Sequence, residues 1–312
     1  MIVKKIIQTL FVLLFIISQI IFNISCNSDV KKEQKDSSAI SNNKYFKNFN
    51  ITILLDLSDR ISNKKNPGQF KKDIVFVNNV LDAFKSYLNS KGVVQSEDRI
   101  KVIFYPYSNY EVYQEIADSL DINFSTYDYP ERKKLFEKIS SIYNRQLNNL
   151  YAFASNTKSY PGSDLFNYFK HRIMDDCIIA DSSFINLLVI ITDGYLYDSK
   201  SKYQQGNRFS YLIPEANHIQ IFRKISNWEE VFEKNDYGII NLNNDLSDLY
   251  VLLGEFNPVS NSPKDFDILK KYWSDWLENQ KVKKDHYKIL KTDINTLNRN
   301  VIFRFFNKII SQ

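Results

Sequence analysis

Three short segments of this chain hold the side chains best suited to chemistry: Asp56-Leu57-Ser58-Asp59-Arg60, Gly162-Ser163-Asp164-Leu165 and Thr192-Asp193-Gly194. Each offers carboxylate or hydroxyl oxygen, the donor set of a hard cation. An ion such as Mg2+, or Mn2+ or Ca2+ in its place, keeps several waters and takes one or two carboxylates rather than a full protein cage. Asp56, Ser58, Ser163 and Asp193 are therefore the candidate metal ligands. Arg60 admits two roles. Its guanidinium could pair with Asp56 and Asp193 and stand in for the cation, or it could turn outward and, beside Asp59, meet a partner at the rim. A structural reading stays open next to these, in which Asp56 and Asp193 cap strand ends and neighbouring helices with Arg60 as their partner.

The elements that precede these segments give them their position. Ile51 to Leu55 is a short β-branched run of the kind buried on both faces of a sheet, and Phe184 to Ile191 is the strongest such run in the chain. Between them the spacing predicts a helix over 69–89, with Phe70, Ile74, Val77, Leu81, Phe84 and Leu88 on one stripe. Ile100 to Tyr105 reads as a second strand stopped by Pro106, and Val112 to Phe124 as an irregular antiparallel edge strand. Pro130 starts a helix continued by Leu135, Ile139, Ile142, Leu147 and Leu150.

Another helix follows Gly162, with Leu165, Phe166, Phe169 and Ile173 on one side. Gly238 to Ile240 and Leu249 to Leu253 are weaker strands. Ser262-Pro263 opens a helix whose stripe of Phe266, Leu269, Trp273, Trp276 and Leu277 reads as core packing. Strands alternating with helices predict an α/β fold of three layers, a mainly parallel central sheet with helices on both faces. Ligands in such folds bind beyond the carboxyl ends of the strands. Asp56 and Asp193 fall there.

Other chemistries find little support. His171, His218 and His286 are far apart and lack zinc-protease spacing, seven glycines leave little room for a phosphate loop, and Gly-x-Ser-x-Gly is absent. The 41 basic and 36 acidic residues give a net charge of +5 but are interspersed, with no block resembling a nucleic-acid patch. Tyr105, Tyr107, Tyr110 and Tyr113 follow the second strand. They suit half-buried edge packing or an exposed aromatic rim for a partner.

An Asp-x-Ser motif after the first strand, a hydroxyl residue heading a later helix and Thr-Asp-Gly after a buried strand together resemble the von Willebrand factor type A domain. The resemblance spans roughly Asn48 to Leu253. It implies a metal-ion-dependent adhesion site in which Asp56 and Ser58 match the first loop, Ser163 the Thr of the second and Asp193 the Asp of the third. It also implies an open metal position filled by a carboxylate of a partner protein. Arg60 departs from the pattern where a Ser is usual, and a helical insertion around Glu131 to Leu150 lengthens the segment between the first two loops.

The N-terminus gives the chain its address. Lys4 and Lys5 precede an apolar run from Ile6 to Ile24, which ends in Asn23-Ile24-Ser25-Cys26. The ending resembles the bacterial lipobox, which implies removal of residues 1–25 and lipid on Cys26; an uncleaved N-terminal anchor is the alternative. Residues 26–46 read as a lipidated, polar tether, and 47–312 as one α/β domain with a helical C-terminal extension. Cys177, the other cysteine, has no partner and reads as a small core residue. The function expected is a non-catalytic binding module at the cell envelope, held to a membrane by lipid and engaging a protein partner. A Mg2+-dependent phosphohydrolase resembling the haloacid dehalogenase class, with Asp56 as nucleophile, is one alternative; a structural envelope lipoprotein with a degenerate site is another.

Overall fold

The computed structural model describes residues 46–105, 111–156, 163–198, 200–258, 262–291 and 295–312. Residues 1–45, which hold the expected signal, Cys26 and all of the expected tether but Phe46, lie outside the described residues, as do Tyr107, Tyr110 and Gly162. Asn48–Leu55 (β1), Arg99–Ile103 (β2), Ile122–Asn123 (β3), Phe184–Ile191 (β4), Leu249–Gly254 (β8) and Tyr287–Ile289 (β9) build a sheet of order β3-β2-β1-β4-β8-β9. Within it β3 runs antiparallel to β2 and the other pairings are parallel. Gln69–Lys91 (α1), Glu111–Ser119 (α2), Tyr129–Asn156 (α3) and Asn295–Ile310 (α9) serve one face. Leu165–His171 (α4), Ile173–Cys177 (α5), Asn217–Lys224 (α6), Trp228–Lys234 (α7) and Asp265–Asn279 (α8) serve the other. The fold is three-layer α/β.

Strand alternation divides the core. Ile51, Ile53 and Leu55 of β1 join Phe76, Phe84, Tyr143 and Phe306 in one apolar cluster; Leu54, with Leu188 and Ile190 of β4, joins Phe169, Trp273 and Trp276 in the other. Both faces are covered, which is why β4 is apolar at every position except Asn186. The polar exceptions have partners. Asn50 donates to the carbonyl of Cys177 at 3.0 Å and to Asn186 Oδ1, and the Thr52 hydroxyl donates to the carbonyl of Asp176 at 2.9 Å. These strand side chains cap the last carbonyls of the short helix α5. Replacing Thr52 with the near-isosteric Val removes that hydrogen bond and should cost about 0.5–1.5 kcal/mol, seen as a lower urea midpoint with unchanged slope.

Several elements differ from the sequence reading. Val112 to Phe124 is mostly the helix α2, because Tyr113 and Ile116 turn inward at helical spacing; the antiparallel edge shrinks to β3. Tyr113 is buried, so it belongs to no exposed aromatic rim. Gly238–Ile239 (β7) pairs not with the main sheet but with Arg208–Phe209 (β6), which pairs with Gln204–Gln205 (β5). The C-terminal extension adds β9 as well as helix. Trp273, Trp276 and Cys177 are core residues as expected. Among the described residues no helix is long and apolar enough to cross a membrane.

Candidate functional site

Strand register brings the first and third segments together. Leu55 lies opposite Ile191, so β1 and β4 end level, and the Asp56 amide donates to the Ile191 carbonyl at 3.0 Å. The chain then leaves β1 toward β2 and leaves β4 toward β8, which opens a crevice at their carboxyl ends. Ser163 arrives from the side. It bridges Tyr197, and the next amide, Asp164, donates to the Tyr105 carbonyl at 3.1 Å. Asp56, Ser58, Ser163 and Asp193 all line one cleft of about 660 Å³.

Local turns fix the carboxylates. Asp56 is buried; one oxygen accepts from the Ser58 amide at 3.0 Å and the other from the Thr192 hydroxyl at 2.8 Å. Asp193 accepts from the Tyr195 amide at 3.0 Å. Gly194 makes that turn possible. Its φ is +95°, and a Cβ there would sit 2.4 Å from the Phe256 ring. Trp273 completes the clamp from α8, its indole N–H donating to the Gly194 carbonyl at 2.8 Å. Asp164 is occupied as the cap of α4, accepting from the Asn167 amide and from Ser201. The Ser163 hydroxyl, by contrast, is buried and has no hydrogen-bond partner among the described residues. The Tyr195 hydroxyl is in the same condition.

Arg60 takes neither position expected of it. The short 3-10 turn Asp59–Ile61 points it inward, where it is 3% exposed, and its guanidinium forms a two-pronged ion pair with Asp73 of α1 at 2.8 and 3.0 Å. It also donates to the Asp56 carbonyl at 3.2 Å. Asp73 accepts in addition from Tyr151 at 2.8 Å and Gln69 at 3.0 Å. Burial works against the Arg60 charge, but Asp73 more than offsets it and raises the pKa further. The guanidinium therefore makes no hydrogen bond to either site carboxylate, although its charge is felt by both. Asp59 stays at the rim in an exposed ion pair with Lys65.

The electrostatics favour a cation. Burial, then the neighbouring Asp56 carboxylate, push the Asp193 pKa up to about 7 against the opposing charge of Arg60. A folded state that holds this proton more tightly than the unfolded chain gains stability at acid pH. That gain is complete below the ordinary carboxylate value and is lost as pH rises from about 4 to about 7. Thermal midpoints of the metal-free protein should fall across this window, and Asp193→Asn should flatten the slope. Among the described residues no three His, Cys, Asp or Glu side chains gather as ligands. Two carboxylates with hydroxyls nonetheless suit Mg2+, and the unpartnered buried Ser163 hydroxyl fits the same ion.

No protein-family model matches the sequence, and no curated protein is detectably similar. The chain is similar to the crystal structure of the pilus adhesin SpaC from Lactobacillus rhamnosus GG, in its open conformation and in a second crystal form. Each match has 10% identity and a TM-score of 0.37, covering 85% of this chain. This chain spans only 30% of the length of that adhesin, so the reading of the site rests on its own geometry.

Proposed function

We propose that this chain is a non-catalytic binding module whose cleft engages a protein partner through a divalent cation, in the manner of a von Willebrand factor type A domain. The observation that carries this reading is the buried Ser163 hydroxyl, without a hydrogen-bond partner among the described residues, in the same cleft as Asp56 and Asp193. Asp56, Ser58, Ser163 and Asp193 would hold the ion. It would offset the repulsion between the two carboxylates and accept an anionic group from outside. The inward turn of Arg60 leaves the usual third position of the first loop without an oxygen. That departure supports a weak, water-rich Mg2+ site rather than a tight one. Lipid on Cys26, in the cell envelope, belongs to the same proposal and would bring the cleft to a membrane surface.

Isothermal calorimetry tests it. Mg2+ should bind the purified chain with measurable heat at pH 8 and more weakly at pH 6, because a ligand carboxylate must lose its proton. Asp56→Ala and Asp193→Ala should abolish that heat, and Ser163→Ala should reduce it while leaving the thermal midpoint nearly unchanged. Absence of heat from the unaltered protein would sink the cation reading. Turnover of a phosphate ester, lost in Asp56→Asn, would replace it with a hydrolase.

A further inference from the structure

The wall of the cleft between β4 and α6 is an excursion pinned by the backbone pair Leu196 and Leu212, which exchange hydrogen bonds at 2.9 and 2.8 Å. It carries Tyr197 and Tyr203, which are 49% and 48% exposed although large and partly apolar. Between them stands Lys202. The other two cations lining the cleft already have carboxylates, Arg60 with Asp73 and Lys65 with Asp59. Lys202 has none among the described residues: its ammonium lies over the rings of Tyr197 at 4.9 Å and Tyr211 at 5.7 Å. It also lines a second, adjoining cleft of about 630 Å³. There Lys170, likewise without a carboxylate among the described residues, lies 5.8 Å over Tyr203. The result is a path from the carboxylate floor past two ammonium groups that lie over exposed tyrosines and have no carboxylate partner among the described residues.

Exposed aromatics and uncompensated charge on one path fit a partner of complementary chemistry. We propose that the two clefts form one track for an extended acidic segment of a partner protein. One carboxylate of that segment meets the cation on Asp56 and Asp193, a second meets Lys202 and a third meets Lys170. The first of these contacts rests on the cation-assisted reading of the site; the other two do not. The tyrosine rings flank the backbone and hold the ammonium groups in place, so the track selects for several acidic residues rather than one.

The probe is an eight-residue fluorescein-labelled peptide with Glu at three alternate positions, compared with the same peptide carrying Gln at two of them. Fluorescence anisotropy with the full chain and millimolar Mg2+ should show the three-Glu peptide binding about tenfold more tightly. Lys202→Ala and Lys170→Ala should each remove about threefold of that preference, with the calorimetric heat of Mg2+ unchanged. Equal affinity of the two peptides alongside a normal Mg2+ heat would overturn the track and leave the metal site standing. A preference for the three-Glu peptide in a protein that gives no Mg2+ heat would do the reverse. Binding to phosphatidylglycerol vesicles but to neither peptide would overturn the proposal in favour of a membrane surface.

Discussion

Asp73→Ala should destabilise the domain by about 3–5 kcal/mol, the range seen when one partner of a buried ion pair is removed. Arg60 and Asp73 have side chains only 2% and 0% exposed, so the guanidinium left behind has no access to water. Tyr151 loses its acceptor at the same time, and Gln69 keeps only Glu255. The loss comes chiefly from the stranded charge and not from the attraction itself. A double variant, Arg60→Met with Asp73→Leu, should therefore recover a large part of it. Urea unfolding of the two single variants and the double gives the coupling directly; a double variant no more stable than Asp73→Ala would refute the account. Arg60 also donates to the Asp56 carbonyl. Residual folded Asp73→Ala should thus bind Mg2+ more weakly than the parent.

The second large effect is expected at Trp273. It is fully buried, lies among Phe169, Phe256 and Trp276, and donates to the Gly194 carbonyl. Trp273→Ala should cost about 3–5 kcal/mol through the cavity alone. Trp273→Phe separates packing from the hydrogen bond. It keeps most of the apolar volume but releases the turn that holds Asp193, so it should lower Mg2+ affinity out of proportion to its smaller loss of stability. Unfolding midpoints and calorimetry on the same preparations make the comparison, and equal proportional losses in the two readouts would argue against the clamp.

How much of this was legible in the residues depended on how uniform each local pattern was. Phe184 to Ile191 is apolar at every position but Asn186 and rich in Ile and Val, and its limits are those of β4. The first strand was read three residues short, from Ile51, because Asn48 and Asn50 look like loop until their partners across the fold are known. The edge strand β9 has only Tyr287, Lys288 and Ile289 and no period to find; its pairing with β8 makes it a strand.

The site divides in the same way. Asp56, Ser163 and Asp193 could be placed because each follows or opens a recognisable element. The Arg60 partner could not, since Asp73 is thirteen residues away inside a helix. A signal was present even so. Asp73 stands three residues after Phe70 and four before Val77, on the buried stripe of α1, and a carboxylate there requires a partner. Lys202 and Tyr197 carried no signal of their own, because the excursion that presents them has little regular structure.

The pairing of β1 with β4 also governs when the chain can fold. Asn50 and Asn186 meet across 136 residues of sequence. At about 5–20 residues per second of synthesis, the centre of the sheet waits roughly 7–27 s for its second flanking strand. Until then β1 has only β2 beside it, with β3 beyond, a small sheet slow to gain from non-local contacts. The loops that carry Asp56 and Asp193 depend on the β1–β4 junction and come into register only once β4 has been made.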